Sequence, residues 1–352
     1  MKKCIIMLGL MILTSLFCIS PGQCASKDEE RTARLVEGAK KEGLLVYYTS
    51  MDVTNAQQLV HAFQEKYPFI KVEIARTGSE KVLIRVLAEA AAKKLKADVV
   101  QSSTPHMSTY KQKNVMLKYL SPEAIAFPES AIDPDGYGVS FYENLYVLAY
   151  NSRLVSPKDA PKSFDDLLLP RWKGKMAIDS KDARWYGALD KIWGSKKNGD
   201  YMTKLFQQRP IIMTGKTLMV QLLAAGEFEL CVSAYLDTVG EYKAKGAPVE
   251  WVYLEPLLIS GHPVWIPATA PHINAATLFV DFLLSEKGQE TVSSLGKFPP
   301  RTSATTERIL AKYYPGLDRK PIPKKKYEIP PSVSERYEEY STQFKTLLTK
   351  AK

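Results

Sequence analysis

The sequence has no apolar run long enough to cross a bilayer. Its longest, Ile5–Ile19, is about fifteen residues against the roughly 20 that a spanning helix needs. Lys2 and Lys3 precede that run, and Pro21-Gly22-Gln23-Cys24-Ala25-Ser26 follows it. A basic head, a short apolar core and small residues beyond it predict a secretory leader over residues 1–26, cleaved after Cys24 or Ser26. Neither Cys18, preceded by Ser-Leu-Phe, nor Cys24, preceded by Pro-Gly-Gln, makes a lipid-attachment signal, so a soluble exported chain is expected.

Cysteine and histidine are scarce, at four each. Cys4, Cys18 and Cys24 lie in the leader, which leaves Cys231 alone and excludes an internal disulfide in a compartment that would permit one. Cys231 stands inside the strand-like Phe228–Val232 run, where a buried structural thiol is expected rather than a nucleophile. His61, His106, His262 and His272 have no metal-ligand spacing, and no G-x-S-x-G elbow occurs. Ser108–Lys111 matches S-x-x-K without its companion elements. Thr214-Gly215-Lys216-Thr217 fails as a phosphate loop because Pro210 stands where a glycine is required. No catalytic constellation, cofactor site or metal site is expected.

What the chain does have is one arrangement, repeated. Leu44–Tyr48 reads as a strand buried on both faces. The polar Thr49-Ser50-Met51-Asp52 loop follows, then a helix with Ala56, Leu59, Val60 and Phe63 on one face, capped by Thr54 with Gln57 and ended by Pro68. Ile70, Val72 and Ile74 alternate as an edge strand, and Thr77 with Glu80 caps the next helix. Ala97–Val100 ends at Gln101-Ser102-Ser103-Thr104. Lys175–Ile178 ends at Asp179–Arg184, Ile211–Met213 at Thr214–Thr217, and Phe228–Ser233 at Tyr235-Leu236-Asp237. Hydroxyl, amide or charged groups thus sit wherever a strand meets a helix start, the place where open α/β sheets bind ligands. With 352 residues in all, a chain of about 325 after the leader exceeds one ordinary core and predicts two lobes. The net charge of +10 is spread along the chain, with one dense run at Lys324–Lys326; no nucleic-acid module accompanies it, and it reads as solvated surface.

Several stretches carry a resemblance: GLLVYYTSMD, APKSFDDLLLPRWKGKMAI, LLAAGEFELCVSAY, KAKGAPVEWVYLEP and HINAATLFVDFLLSEKGQE, spanning Gly43 to Arg301. In them the chain resembles periplasmic solute-binding proteins of ABC importers, in the branch of ferric-iron, thiamine and phosphorylated-solute binders. The resemblance implies a type II two-lobed α/β fold with mixed sheets flanked by helices and two hinge crossings. Lobe 1 would comprise residues 27–147 and 255–352, and lobe 2 residues 148–254. It implies a monomer serving a membrane permease and a cytoplasmic ATPase from the periplasm, without catalysis.

Relatives that bind ferric iron commonly use a histidine, a carboxylate and a tyrosine pair. The matching positions here are Met51, Ser102-Ser103 and a neighbourhood holding one tyrosine, Tyr235. Arg184 and Lys216 stand where the resemblance places neutral anion-holding donors. The expected solute is therefore a small anionic organic molecule, a carboxylate or phosphate ester, with ferric iron as the alternative. Lobe 1 contacts would come from Thr49, Ser50, Ser102, Ser103 and Glu143, and lobe 2 contacts from Ser180, Arg184, Lys216, Thr217 and Tyr235. Trp185 or Tyr186 could stack on an apolar or cyclic part of the solute, with core packing the favoured reading for either. An enzyme on the same fold, with Cys231 as nucleophile, is the alternative of another class.

Overall fold

Thirteen residues, Val139–Asn151, form one strand that belongs to both parts of the sheet. This computed structural model describes residues 27–314, 316–317, 322–323 and 325–350; the expected leader and its three cysteines lie outside them. The strands are β1 (Leu44–Thr49), β2 (Lys71–Arg76), β3 (Val99–Gln101), β4 (Val139–Asn151), β5 (Met176–Asp179), β6 (Ile211–Met213), β7 (Leu230–Tyr235), β8 (Val249–Val252), β9 (Leu258–Trp265) and β10 (Tyr327–Glu328). The helices before the sheet's midpoint are α1 (Lys27–Glu42), α2 (Val53–Lys66), α3 (Ser79–Ala91) and α4 (Met107–Gln112). Beyond it come α5 (Ala183–Trp193), α6 (Ser195–Gln207), α7 (Lys216–Ala225) and α8 (Leu236–Ala244). The last are α9 (Ile273–Leu284), α10 (Glu286–Ser294), α11 (Ala304–Tyr313), α12 (Pro331–Glu335) and α13 (Tyr337–Lys350).

The strand order is β2-β1-β3-β9-β4-β7-β5-β6, with β10 added to β9 and β8 to β4. β1 pairs in parallel with β2 and β3, and β5 in parallel with β6 and β7, as expected where helices connect the strands. Antiparallel β4 and β9 join these two sets. β4 pairs with β9 from Val139 to Leu145, then with β7 from Tyr146 and with β8 from Leu148. Two strands therefore carry the chain between a first half, built on β1–β3, and a second half, built on β5–β8.

Each half has its own apolar interior. Phe63 of α2 meets Phe279 and Phe282 of α9, with Tyr47 of β1 against Phe279. Trp172, Trp185, Leu205 and Phe206 pack in the second half. Burying side chains of this size contributes about 1.5–3 kcal/mol each, so both halves hold their shape around the junction. Trp185 and Tyr186 are core residues, as expected.

Two details differ from the sequence expectation. The cap of α2 is Asp52, whose carboxylate accepts the Thr54 N–H at 2.9 Å, not Thr54; the cap of α3 is Gly78, with no side-chain bond. And α13 packs on α5 and α6, placing Tyr340, Phe344 and Leu348 in the core of the second half rather than with the first. Among the described residues no helix is long and apolar enough to cross a membrane.

Candidate functional site

The loops after β1, β3, β5, β6 and β7 meet beside the β4–β9 crossing. On the first-half side Gln101, at the end of β3, organises the floor. Its amide oxygen accepts from Thr49 Oγ1 at 2.6 Å and from the N–H groups of Ser50 and Met51 at 3.0 and 3.1 Å. Those backbone donors fix the amide's orientation, so its nitrogen is the group that faces His262 Nδ1 at 3.1 Å. Nδ1 must then be the acceptor, and the proton sits on Nε2, 3.1 Å from the Asn144 amide. Turning that amide's oxygen toward Nε2 satisfies both groups and gives a partner to an oxygen that is otherwise buried without one. Tyr142 stacks on the imidazole, centroids 4.2 Å apart and planes 7° from parallel. Burial, with Lys297 nearby, pushes His262 down to about 3, so the ring is neutral.

On the second-half side Lys216, the first residue of α7, donates to Asp182 Oδ1 at 2.6 Å and to the Ser233 carbonyl at 2.7 Å. Ser233 also donates to Asp182 and holds a left-handed backbone, φ 60°, at the end of β7. Such strain in a non-glycine residue persists only where surrounding bonds over-determine it. Burial works against the Lys216 charge, yet Asp182, Tyr235 and Asp179 outweigh it and hold the ammonium above its ordinary value. Burial raises Asp182 despite Lys216 and Ser233. The ammonium lies 5.3 and 5.0 Å from the ring centres of Tyr146 and Tyr235, whose hydroxyls are 3.4 Å apart. Burial, then Tyr235 and Asp182, keep the Tyr146 phenol well above its ordinary value.

Arg184, in the first turn of α5, is different. Among the described residues it has no carboxylate within ion-pair distance, its Nε is buried without a hydrogen-bond partner, and its guanidinium carbon lies 5.6 Å from the centre of the Tyr337 ring. Its charge reaches the other half. Burial first and Arg184 second push His106 down to about 4, and Arg184 also contributes to the depression of His262. His106 Nδ1, in the turn after β3, is likewise buried without a partner. An ionic contact, Lys297 with Asp237, joins the turn after α10 in the first half to α8 in the second.

The expected site residues fare unequally. Tyr235 stands against Tyr146 and Lys216, the Arg184 charge acts on the same Tyr146 phenol, Ser180 is bonded to Thr214 at 2.7 Å, and Thr217 is exposed beside Lys216. Ser50 is held by Gln101, and Thr49 is wholly buried by the same bond. Ser102 and Ser103 are buried, Ser103 facing Ser79 at 2.9 Å. Lys216 is no free cation, since Asp182 already neutralises it. Glu143 ion-pairs with Lys326, on the strand face opposite Tyr142, Asn144 and Tyr146. Its expected role as a contact fails by one residue of register, Asn144 taking that face. Cys231 is wholly buried and burial pushes its thiol up to about 12, which removes the nucleophile alternative. The single tyrosine expected near the iron position is in fact a pair, Tyr146 with Tyr235. Gln101, Asn144, Tyr146, Asp182 and His262 were missed; alternation along β4 from Glu143 was the signal available for two of them.

Residues 58–314 match the family model of bacterial extracellular solute-binding proteins. An uncharacterized protein of Haemophilus influenzae is 29% identical over 268 residues, covering 72% of this chain and 76% of that one. Iron-bound HitA of Pseudomonas aeruginosa superposes with a TM-score of 0.70 at 21% identity, over 86% of this chain and 99% of its own. AfuA of Actinobacillus pleuropneumoniae, with exogenous fructose-6-phosphate bound, gives 0.65 at 23% identity, over 88% and 97%. At these identities the two structures establish the shared two-lobed periplasmic binding-protein fold.

Proposed function

Since the chain belongs to the bacterial extracellular solute-binding proteins, we propose that it captures a small organic anion, a carboxylate or phosphate ester, between its two halves. In this reading it works in the periplasm and delivers the solute to the permease and ATPase of an ABC importer. Arg184 carries the reading. Among the described residues its guanidinium has an unpartnered Nε and no carboxylate within ion-pair distance, so it has donors to offer an anion, and desolvating it is costly unless one is supplied. In this reading Ser50, Ser180, Thr217 and Tyr235, from the strand-end loops, supply the remaining contacts. The fructose-6-phosphate bound to AfuA is a solute of this class. Cys231 has no part in it.

Calorimetry with fructose 6-phosphate, citrate and inorganic phosphate tests the proposal. One of these anions should bind, and Arg184→Gln should weaken it by about tenfold to a hundredfold, the loss of one charged hydrogen-bond partner. Undiminished binding in that variant rejects the assignment.

The Tyr146–Tyr235 hydroxyl pair supports a second reading, ferric iron. The raised Tyr146 phenol and the Arg184 charge acting on that same phenol oppose it. Among the described residues no group of three or more histidine, cysteine, aspartate or glutamate side chains could hold a metal. Visible tyrosinate-to-iron colour on adding ferric citrate would favour iron; its absence is expected.

A further inference from the structure

After α11 the chain returns to the junction a third time. Lys326 pairs with Glu143 of β4, β10 adds in parallel to β9 at Leu258 and Ile259, and the Glu328 carboxylate accepts the Gly261 N–H at 2.8 Å. Ile329 and Val333 then enter the core of the second half. α12 packs both on the Thr104–His106 turn of the first half and on α5 of the second. Tyr337 follows at once, its ring centre 5.6 Å from the Arg184 guanidinium carbon. Tyr340 donates to Asp190 at 3.1 Å and anchors the segment onto α5.

We propose that residues 326–340 are a strap that completes the anion site, and that Tyr337 is the positioning residue that holds the Arg184 guanidinium toward it. The inference rests on the anionic-solute reading and adds a residue from outside the five strand-end loops. Its chemistry follows from what a guanidinium has to offer. A carboxylate partner would occupy the in-plane N–H fork that a solute needs. An aromatic ring holds the cation over its own face without being a carboxylate acceptor, so it restrains the group while leaving N–H donors for a solute. Burial raises the Tyr337 phenol, and the charges that act on it include Glu80 at the start of α3 and Asp179 at the end of β5. Because α12, which leads directly into Tyr337, packs on both halves, the ring stands at their junction, where a closing site needs a wall.

The test uses the full exported chain with fructose 6-phosphate, citrate and inorganic phosphate as probes. Tyr337→Leu should weaken the anion that binds best by about tenfold, while Tyr337→Phe, which keeps the ring, should restore affinity to within about threefold. In an Arg184→Gln background Tyr337→Leu should cost no further affinity, because the group it positions is gone. A Tyr337→Leu variant that binds like wild type, or that loses as much in the Arg184→Gln background, overturns the proposal and leaves the anionic reading standing. If wild type binds none of the probes, the anionic reading falls on that result, and melting temperatures judge the strap. Shifts for Arg184→Gln and Tyr337→Leu that simply add overturn the pairing, and shifts that do not add uphold it.

Discussion

Lys216 and Arg184 show how two cations at similar places acquire different tasks. Lys216 lies 11% exposed against a 5% exposed Asp182, so the pair is internal and serves to hold the β5, β6 and β7 ends together. Lys216→Ala would leave a buried carboxylate without its partner, an arrangement that costs about 3–5 kcal/mol. Denaturant unfolding should show that loss, and Lys216→Met combined with Asp182→Asn should recover much of it. Arg184→Gln, by contrast, strands no buried carboxylate and should cost only the contact with the Tyr337 ring, about 0.5–1 kcal/mol. Glu328 supplies a pH dependence at the same scale. Burial raises its carboxyl from 4.5 to about 8, so between these values the folded chain keeps a proton that the unfolded chain has released. Stability is full below about 4.5 and falls as pH rises toward 8. His262, lowered from 6.5 to about 3, acts in the opposite sense, losing stability as pH falls below 6.5. Between pH 6.5 and 8 Glu328 therefore acts without that opposition, and Glu328→Gln should flatten the decline in melting temperature there.

At the scale of elements, β4 is where register decides chemistry. Side chains alternate, so Tyr142, Asn144 and Tyr146 take the face that meets His262 and Tyr235, while Glu143 turns to Lys326. α13 is the element whose docking sequence alone leaves open. Gly187 of α5 receives it closely: a Cβ there would stand 2.8 Å from the Tyr340 ring and 2.9 Å from Val333. Neither neighbour is the loose end of a flexible chain. Gly187→Ala should therefore force α12 and α13 outward and destabilise by about 1–3 kcal/mol, read by denaturant unfolding, with limited proteolysis showing earlier cleavage in residues 325–350.

For the whole molecule, β4 and β9 are shared by both halves, and Lys297–Asp237 and the strap span the same junction. Closure about two shared strands is the hinge mode open to such a plan. A hundredfold excess of solute over its dissociation constant should stabilise the protein by about 2.7 kcal/mol. Small-angle scattering should show a smaller radius of gyration with the same solute. A raised melting temperature with an unchanged scattering profile would argue against closure.

The sequence by itself determined the alternation of strands and helices, because an apolar run bounded by a polar turn and an amphipathic helix is a local pattern. It also determined that polar loops fall at strand ends, that Trp185 and Tyr186 are core, and that Cys231 is buried. Tertiary structure alone decided which polar groups are spent on one another. Lys216 reads the same in sequence whether Asp182 neutralises it or not, and Glu143 whether it faces a solute or Lys326. Gln101 and His262 are separated by 161 positions, and Arg184 and Tyr337 by a similar distance, so no local spacing signals their meeting. Pairing between remote strands and the docking of the last helix create those contacts. Among the described residues they leave the Arg184 guanidinium at the junction without a carboxylate partner.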